Sequence, residues 1–238
     1  MTLEVLQSKS QVIIARKRLK QLGVSFLPSY LERVLNRLRL KSSLRIGDLQ
    51  KSWDVLRSLE FIGENVSKKA SVLDIGCFNS EILPGLHRLG YTHLTGVDLN
   101  PKISLMPHPE TISYICSDFM LTGLRSGTFY AVTAVSVIEH GFNPLGLLRE
   151  VSRLLRTGGY FIASFDYWPD KIDTSETKIF DMSWKIFSES EILEFISLAR
   201  LWGMEPVGEV KVSASERVVS CLGKNYTFGW LVLKKIGE

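Results

Sequence analysis

The stretch from Ser71 to Asn100 constrains the fold of this chain more than any other part of the sequence. It begins with a short apolar run that ends at Ile75, and Gly76 follows at once, which is typical of a buried parallel strand entering a tight loop. Apolar residues then recur at helical spacing as far as Gly90, and a second apolar run ends at Asp98. The pattern predicts a strand, a loop, a helix and a second strand, with a ligand site at the carboxyl edge of the sheet.

The acidic residue at the end of the second strand indicates the kind of ligand. Asp98 lies 24 residues after Asp74, and its carboxylate can accept hydrogen bonds from both hydroxyls of a ribose bound across the first loop. The three-glycine fingerprint of dinucleotide sites is missing, because Phe78 and Glu81 stand at two of its glycine positions. The sequence therefore predicts a ligand that contains a nucleoside, and it disfavours NAD.

Five segments in this region resemble the class I S-adenosylmethionine-dependent methyltransferases, and among them the quinone-biosynthesis type, known as methyltransferase type 11. The resemblance covers residues 71–166, with a weaker match over residues 184–203. Phe78 and Ser80 depart from the family, which normally has its second and third glycines there. The segments are, in order, VLDIGC (72–77), GVDLNP (96–101), CSDF (116–119), FYAVTAVSVIEHGFNP (129–144) and LLREVSRLLRTGGYF (147–161).

The resemblance implies a fold, a cofactor and a set of cofactor-binding positions. The fold is α/β, a Rossmann-like, seven-stranded and mostly parallel sheet with helices on both faces, and the cofactor is S-adenosyl-L-methionine. Asp98 would hold the ribose, and Asp118 would bind the adenine amino group. A helix N-cap is the alternative role of Asp118. The cofactor-binding positions that we expect are Asp74, Gly76, Cys77, Phe78, Asp98, Leu99, Ser117, Asp118, Phe119 and Ser136.

Glu139 and His140 follow the predicted fourth strand of the sheet, and they are the residues most relevant to chemistry. Methyl transfer is an in-line displacement, so the enzyme positions the acceptor and, for a hydroxyl acceptor, removes its proton. The ordinary pKa of histidine suits His140 to that task. The alternative is that His140 begins the next helix and only shapes the pocket. Asp166, which ends the next strand, is the expected helper.

Length and composition are those of one globular domain with an appendage. The chain has 238 residues, of which 45% are hydrophobic and 23% charged, and no apolar run approaches the roughly 20 residues that span a bilayer. The N-terminus lacks the pattern of a signal peptide, and three widely spaced cysteines predict free thiols. We therefore expect a cytoplasmic protein with an N-terminal helical extension over residues 1–66 and a methyltransferase domain over residues 67–238.

The N-terminal extension is strongly basic. Residues 1–51 contain eleven Lys or Arg and three Asp or Glu, a net charge of +8, whereas the rest of the chain carries −4. Helical spacing predicts helices over residues 3–22, 30–38 and 45–65. The basic faces would meet an anionic surface, or the helices would simply cover the catalytic domain.

The sequence defines the identity of the methyl acceptor less well than that of the cofactor. Tyr167, Trp168 and the polar loop after them favour O-methylation of a small-molecule or glycan-type acceptor. The scattered aspartates of this loop do not have the spacing of a metal site, so none is predicted. The basic N-terminal segment leaves an RNA methyltransferase open as an alternative, and Phe78 and Ser80 leave open a non-catalytic, methyltransferase-like partner subunit.

Overall fold

A computed structural model describes residues 3–28 and 44–237 of the chain. The strands are β1 (Leu3–Val5), β2 (Ser71–Ile75), β3 (His93–Asp98), β4 (Ile112–Cys116), β5 (Phe129–Val135), β6 (Leu155–Tyr167), β7 (Lys178–Ile179), β8 (Met182–Ser183), β9 (Met204–Pro206), β10 (Val219–Cys221) and β11 (Lys224–Lys235). The helices are α1 (Lys9–Gln21), α2 (Ser52–Asn65), α3 (Ile82–Arg88), α4 (Pro144–Leu154) and α5 (Glu189–Leu201), and a 3₁₀ turn covers Pro101–Leu105.

One large sheet has the strand order β1-β11-β6-β5-β2-β3-β4. Strands β2 to β6 are parallel to their neighbours, whereas β11 is antiparallel to β6 and carries the short strands β1, β9 and β10. The predicted Rossmann-like and mostly parallel sheet is confirmed. Because parallel strands end at the same edge, the carboxyl ends of β2, β3, β5 and β6 lie together, and this edge is where ligands bind in such sheets.

Apolar side chains pack the helices onto both faces of the sheet, as predicted. Leu19, Leu59 and Leu86 bring α1, α2 and α3 into one buried cluster. Val151 and Phe195 bring α4 and α5 into a second cluster on the opposite face. None of the described helices combines the length and the apolar character that a membrane span requires.

The predicted helix over residues 3–22 is wrong in its first turn. Leu3–Val5 form an edge strand paired with Gly229–Leu231, because Leu3 and Val5 both point into the core. The helix begins only after Ser8, which forms a capping box with Gln11. The predicted helix over residues 30–38 lies outside the described residues, and the domain division at residue 66 stays a prediction.

Two other predicted elements also have different bounds in the structure. The helix expected to start at Arg45 starts at Ser52, because Gly47 has a φ of 83° and lies against the carboxylate of Glu81. The sequence also predicts a strand over residues 207–212, but the strand in this region is β9, which ends at Pro206. Gly208 follows with a φ of 98°, a conformation that does not continue a pleated strand.

Candidate cofactor and acceptor sites

The turn after β2 requires glycine at position 76. Gly76 has a φ of 66°, and its N–H donates a hydrogen bond to the carbonyl of Val97 at 2.8 Å. A Cβ atom at this position would lie 2.9 Å from Cγ1 of Val137 and closer still to Cγ2. Both the backbone conformation and the lack of space therefore exclude other residues, and the backbone of the turn stays open toward a ligand.

We expect Gly76→Ala to lower the free energy of unfolding by about 1–3 kcal/mol more than Gly127→Ala does. Gly127 is a matched control because its φ is 64° and a Cβ there would meet no atom within 4 Å. In both variants an alanine in the left-handed conformation destabilises the folded state, but only in Gly76→Ala does the new Cβ atom also collide with Val137. Urea denaturation measures the difference, and equal losses in the two variants would refute the steric argument.

Asp98 is held in place by the backbone of two loops. The N–H of Phe78 donates to Oδ2 at 2.9 Å, and the N–H of Asn100 donates to Oδ1 at 2.8 Å. Each carboxylate oxygen keeps a second lone pair that can accept from a hydroxyl. The side chain of Phe78 is half-buried and packs against the core. Its backbone fixes Asp98, and this arrangement suits a ribose diol.

Asp74 and Cys77 point into the protein. Burial raises the pKa of Asp74 to about 7, and Thr133 Oγ1 donates to its Oδ1 at 2.6 Å. Burial likewise raises the pKa of the Cys77 thiol, whose Sγ lies so close to Gly96 that a Cβ there would be 2.5 Å from it. These two side chains therefore shape the loop from below, and only their backbone can face a ligand.

The residues expected around the adenine lie after β3 and β4. The N–H of Ser117 donates to the carbonyl of Asp98 at 3.0 Å, which brings the two loops together. Leu99 is 54% exposed, and Phe119 is half-buried against the core. Asp118 is exposed, and its Oδ1 accepts a hydrogen bond from the N–H of Met120 at 2.8 Å. Asp118 therefore caps a turn through Oδ1, and Oδ2 does not take part in that hydrogen bond. The adenine-binding roles stay predictions.

His140 lies five residues beyond β5, with its ring edge against Phe180 at a centroid distance of 5.4 Å. Its Nδ1 is buried and has no hydrogen-bond partner among the described residues. Burial, and then the positive charge of Lys51, lower the pKa of His140 to about 4. The imidazole is therefore neutral at pH 7 and has a free site for a proton.

Asp166 lies near the end of β6, the strand beside β5. Trp184 Nε1 donates to its Oδ2 at 2.8 Å, and Lys51 Nζ is 3.8 Å from its Oδ1. Burial raises the pKa of Asp166. Glu139 is also buried, neither of its carboxylate oxygens has a partner in the described part of the chain, and burial followed by the charge of Asp166 raises its pKa well above the usual range.

Sequence reasoning missed two residues of this site. Asp54 is fully buried beneath the site and accepts from Ser164 Oγ at 2.8 Å, and burial raises its pKa to about 6. Lys51, just before α2, donates from Nζ to the hydroxyl of Ser136. An acidic residue between the apolar positions of a predicted helix was the available signal for Asp54. Asp54, Glu139 and Asp166 together form what we call the acid cluster.

The aromatic residues proposed for acceptor stacking are not free to do so. Tyr167 is fully buried, and its hydroxyl donates to the carbonyl of Val212 at 2.6 Å. The guanidinium of Arg217 covers the ring of Trp168 at 4.3 Å from its centroid. Within residues 3–28 and 44–237, no group of three or more His, Cys, Asp or Glu is arranged to hold a metal ion.

The family model described as a methyltransferase domain matches residues 73–163, which contain most of β2, all of β3 to β5 and most of β6. Residues 73–163 therefore carry a methyltransferase domain. The predicted resemblance to the class I S-adenosylmethionine-dependent methyltransferases is supported by this match and by the curated relatives. A ubiquinone biosynthesis O-methyltransferase of Xanthomonas campestris is 28% identical over 114 residues, which are 44% of this chain and 47% of that protein. The chain thus spans about half the length of the curated relatives that it matches.

Solved structures share the fold of this chain at low sequence identity. The [4+2]-cyclase SpnF is 16% identical, with a TM-score of 0.61 and 99% of both chains covered. The 1,6-didemethyltoxoflavin-N1-methyltransferase of Burkholderia thailandensis, solved with S-adenosylhomocysteine, is also 16% identical, with a TM-score of 0.56 over 77% of this chain and 79% of that one. A cyclase and an N-methyltransferase on one fold show that the reaction must be argued from the site.

Proposed function

We propose that this protein transfers the methyl group of S-adenosylmethionine to an oxygen atom of a small-molecule acceptor. The observation that carries the proposal is the carboxylate of Asp98, fixed at the end of β3 by two backbone N–H groups beside the open turn at Gly76. An anchored carboxylate next to an open glycine turn suits a nucleoside with an attached chain. The choice of oxygen as the methylated atom is supported by the names of the curated relatives.

The acceptor side supplies a neutral proton acceptor. The acceptor oxygen attacks the methyl carbon as the bond from that carbon to the sulfonium breaks. The hydroxyl proton moves to the imidazole of His140, and the products are a methyl ether and S-adenosylhomocysteine. Asp166 acts as a helper, because it lies near the end of β6, the strand next to β5, and its buried carboxylate accepts a hydrogen bond from Trp184, whose backbone pairs with that of His140.

The geometry favours a compact acceptor over a glycan. Tyr167 is buried and Trp168 is covered by Arg217, so neither ring offers an open face to a sugar. The loop that contains β7 and β8 lies over His140 and Gly141, with Phe180 against the ring of His140 and Met182 next to Gly141. A small hydroxyl compound, such as a phenol or a catechol, matches this enclosure.

Calorimetry with S-adenosylhomocysteine tests the cofactor site directly. We expect micromolar binding to the wild type and affinity about 10- to 100-fold weaker in Asp98→Ala, because hydrogen bonds to a carboxylate are lost. Glu194→Ala, which removes an exposed carboxylate from α5, is the control and should bind like the wild type. Failure of the folded wild type to bind either S-adenosylmethionine or S-adenosylhomocysteine would refute the proposal.

Transfer of a labelled methyl group to a panel of phenols, catechols and methyl glycosides tests the acceptor class. The expected result is a methyl ether of a phenol or a catechol. Total RNA belongs in the same panel, because the basic N-terminal segment motivates that alternative. Labelling of RNA with no labelling of the hydroxyl compounds would replace the small-molecule proposal.

A further inference from the structure

Lys51 sits where three parts of the acceptor side meet. Its Nζ donates to the hydroxyl of Ser136, lies 3.8 Å from Oδ1 of Asp166, and stands 3.9 Å from the centre of the Phe228 ring. Ser136 follows β5, Asp166 lies in β6, and Phe228 lies in β11. One side chain from the start of α2 thus contacts residues of three neighbouring segments, with 25% of its surface still exposed.

The turn at Ser136 needs such an anchor. Ser136 has a φ of 53°, which is an uncommon backbone conformation for a residue other than glycine. Its N–H bonds to both the hydroxyl and the carbonyl of Ser164, each at 3.0 Å, and its hydroxyl accepts from Lys51. The turn leads directly to Glu139 and His140, so its position sets where the imidazole stands.

The same ammonium is the cation that acts on the whole acid cluster. Its charge favours the ionised forms of Asp54, Glu139 and Asp166, and it disfavours protonation of His140. Tyr226, on β11, faces Asp166 as a further titratable group and is held protonated by burial and by that carboxylate. Three buried carboxylates near a single ammonium are costly to ionise, so the cluster depends strongly on that charge.

We propose that Lys51 is a positioning residue of the acceptor side: its ammonium joins the Ser136 turn, which leads to His140, to the Asp166 carboxylate. The inference rests on the proposed function, which makes His140 the proton acceptor. Lys51 touches neither cofactor nor acceptor in this role. It fixes the turn that carries His140, and its charge opposes protonation of the imidazole.

The test is an NMR titration of the four histidine side chains in the wild type, Lys51→Met and Lys51→Arg. The signal of His140 is identified by its disappearance in His140→Asn. We expect the titration midpoint of His140 to rise by about one pH unit in Lys51→Met, because a nearby positive charge is lost. It should stay close to the wild-type value in Lys51→Arg. If Lys51→Met does not fold, Lys51→Gln, which keeps a hydrogen bond to Ser136 without the charge, replaces it.

Lys185→Met is the matched control. The side chain of Lys185 is 28% exposed and its ammonium pairs with Glu191, while its backbone N–H donates to the carbonyl of Glu139 at 2.9 Å and is kept in the variant. Loss of the Lys185 charge should therefore leave the titration of His140 unchanged. In the methyl-transfer assay, kcat of Lys51→Met should fall about 10-fold or more, with its acidic limb displaced to higher pH. Identical titration of His140 in the wild type and Lys51→Met would overturn the inference. Because the titration needs neither cofactor nor acceptor, it decides the role of Lys51 even if the wild type proves to bind no S-adenosylmethionine.

Discussion

Replacing Arg16 by methionine is expected to lower the free energy of unfolding by about 3–5 kcal/mol, because it leaves a buried carboxylate without its partner. Arg16 and Glu81 are 4% and 1% exposed, and the two guanidinium nitrogens Nη1 and Nη2 donate to the carboxylate at 2.8 and 2.7 Å. Arg16 also donates from Nε to Ser52 Oγ at 2.9 Å, and Glu81 accepts from the N–H of Phe26 at 2.7 Å. One ion pair therefore ties α1, the chain after it and α2 to the start of α3.

Urea denaturation measures the effect of Arg16→Met, with Arg18→Met as the control. Arg18 lies on the same helix, is about half exposed and comes only within 4.0 Å of Glu60, so its loss should cost less than about 1 kcal/mol. The double variant Arg16→Met, Glu81→Leu should regain most of the lost stability, because an apolar pair can replace a buried ion pair. A single Arg16→Met variant as stable as Arg18→Met would show that the pair contributes nothing.

The same ion pair reaches the cofactor side of the molecule. Glu81 is the N-cap residue of α3 and the last residue of the loop that begins at Gly76. It occupies a position where a dinucleotide fingerprint would have glycine, and Arg16 neutralises it from below. A residue that would repel a phosphate in another family is here a structural anchor for the loop.

The second large effect is expected on catalysis. His140→Asn should lower kcat by about 10²- to 10⁴-fold with the hydroxyl acceptor that the panel identifies, because the variant lacks the group that we propose as the proton acceptor. The pKa of His140 is lowered to about 4, so the imidazole stays neutral as the pH falls and loses its capacity only near that value. The activity attributed to His140 should therefore persist at pH 5. At that pH the neutral fraction of an ordinary histidine has already fallen about 30-fold.

Rates of methyl transfer between pH 4 and 9 measure both parts of this prediction. His93→Asn is the control, because His93 is exposed at the start of β3, at the opposite edge of the sheet. Asp166→Asn separates the two candidate groups, since an acidic limb that disappears in this variant belongs to the carboxyl of Asp166. A His140→Asn enzyme within threefold of the wild type would exclude His140 as the proton acceptor.

The central fold could be read from the sequence because its signals are local. The run before Gly76, the helical spacing after it and the acidic end of the next strand are each set by neighbouring residues, and the sheet follows from their order. The position of Asp98 at the carboxyl edge of β3 follows from the same argument. Local pattern therefore suffices for the cofactor side of the site.

The acceptor side and the support beneath the cofactor loop depend on contacts between distant residues, which no local pattern records. Arg16 is one of many basic residues in a basic segment, and only the fold reveals that it is buried against Glu81. Lys51 and Asp166 are far apart in the chain and meet because the start of α2 covers the end of β6. The aromatic side chain of Tyr167 predicts a contact with a ligand, but strand alternation in β6 directs this side chain into the core.

The pairing of β1 with β11 also determines the order in which the protein can assemble. Leu3 pairs with Leu231, so β1 has no strand partner until β11, far along the chain, has been synthesised. During that time β6 also lacks β11 as its neighbour. One edge of β1 and one edge of β6 therefore remain unpaired until β11 is present. Completion of the sheet is thus a long-range step that cannot precede the synthesis of β11, and the nascent chain is exposed to misassembly until then.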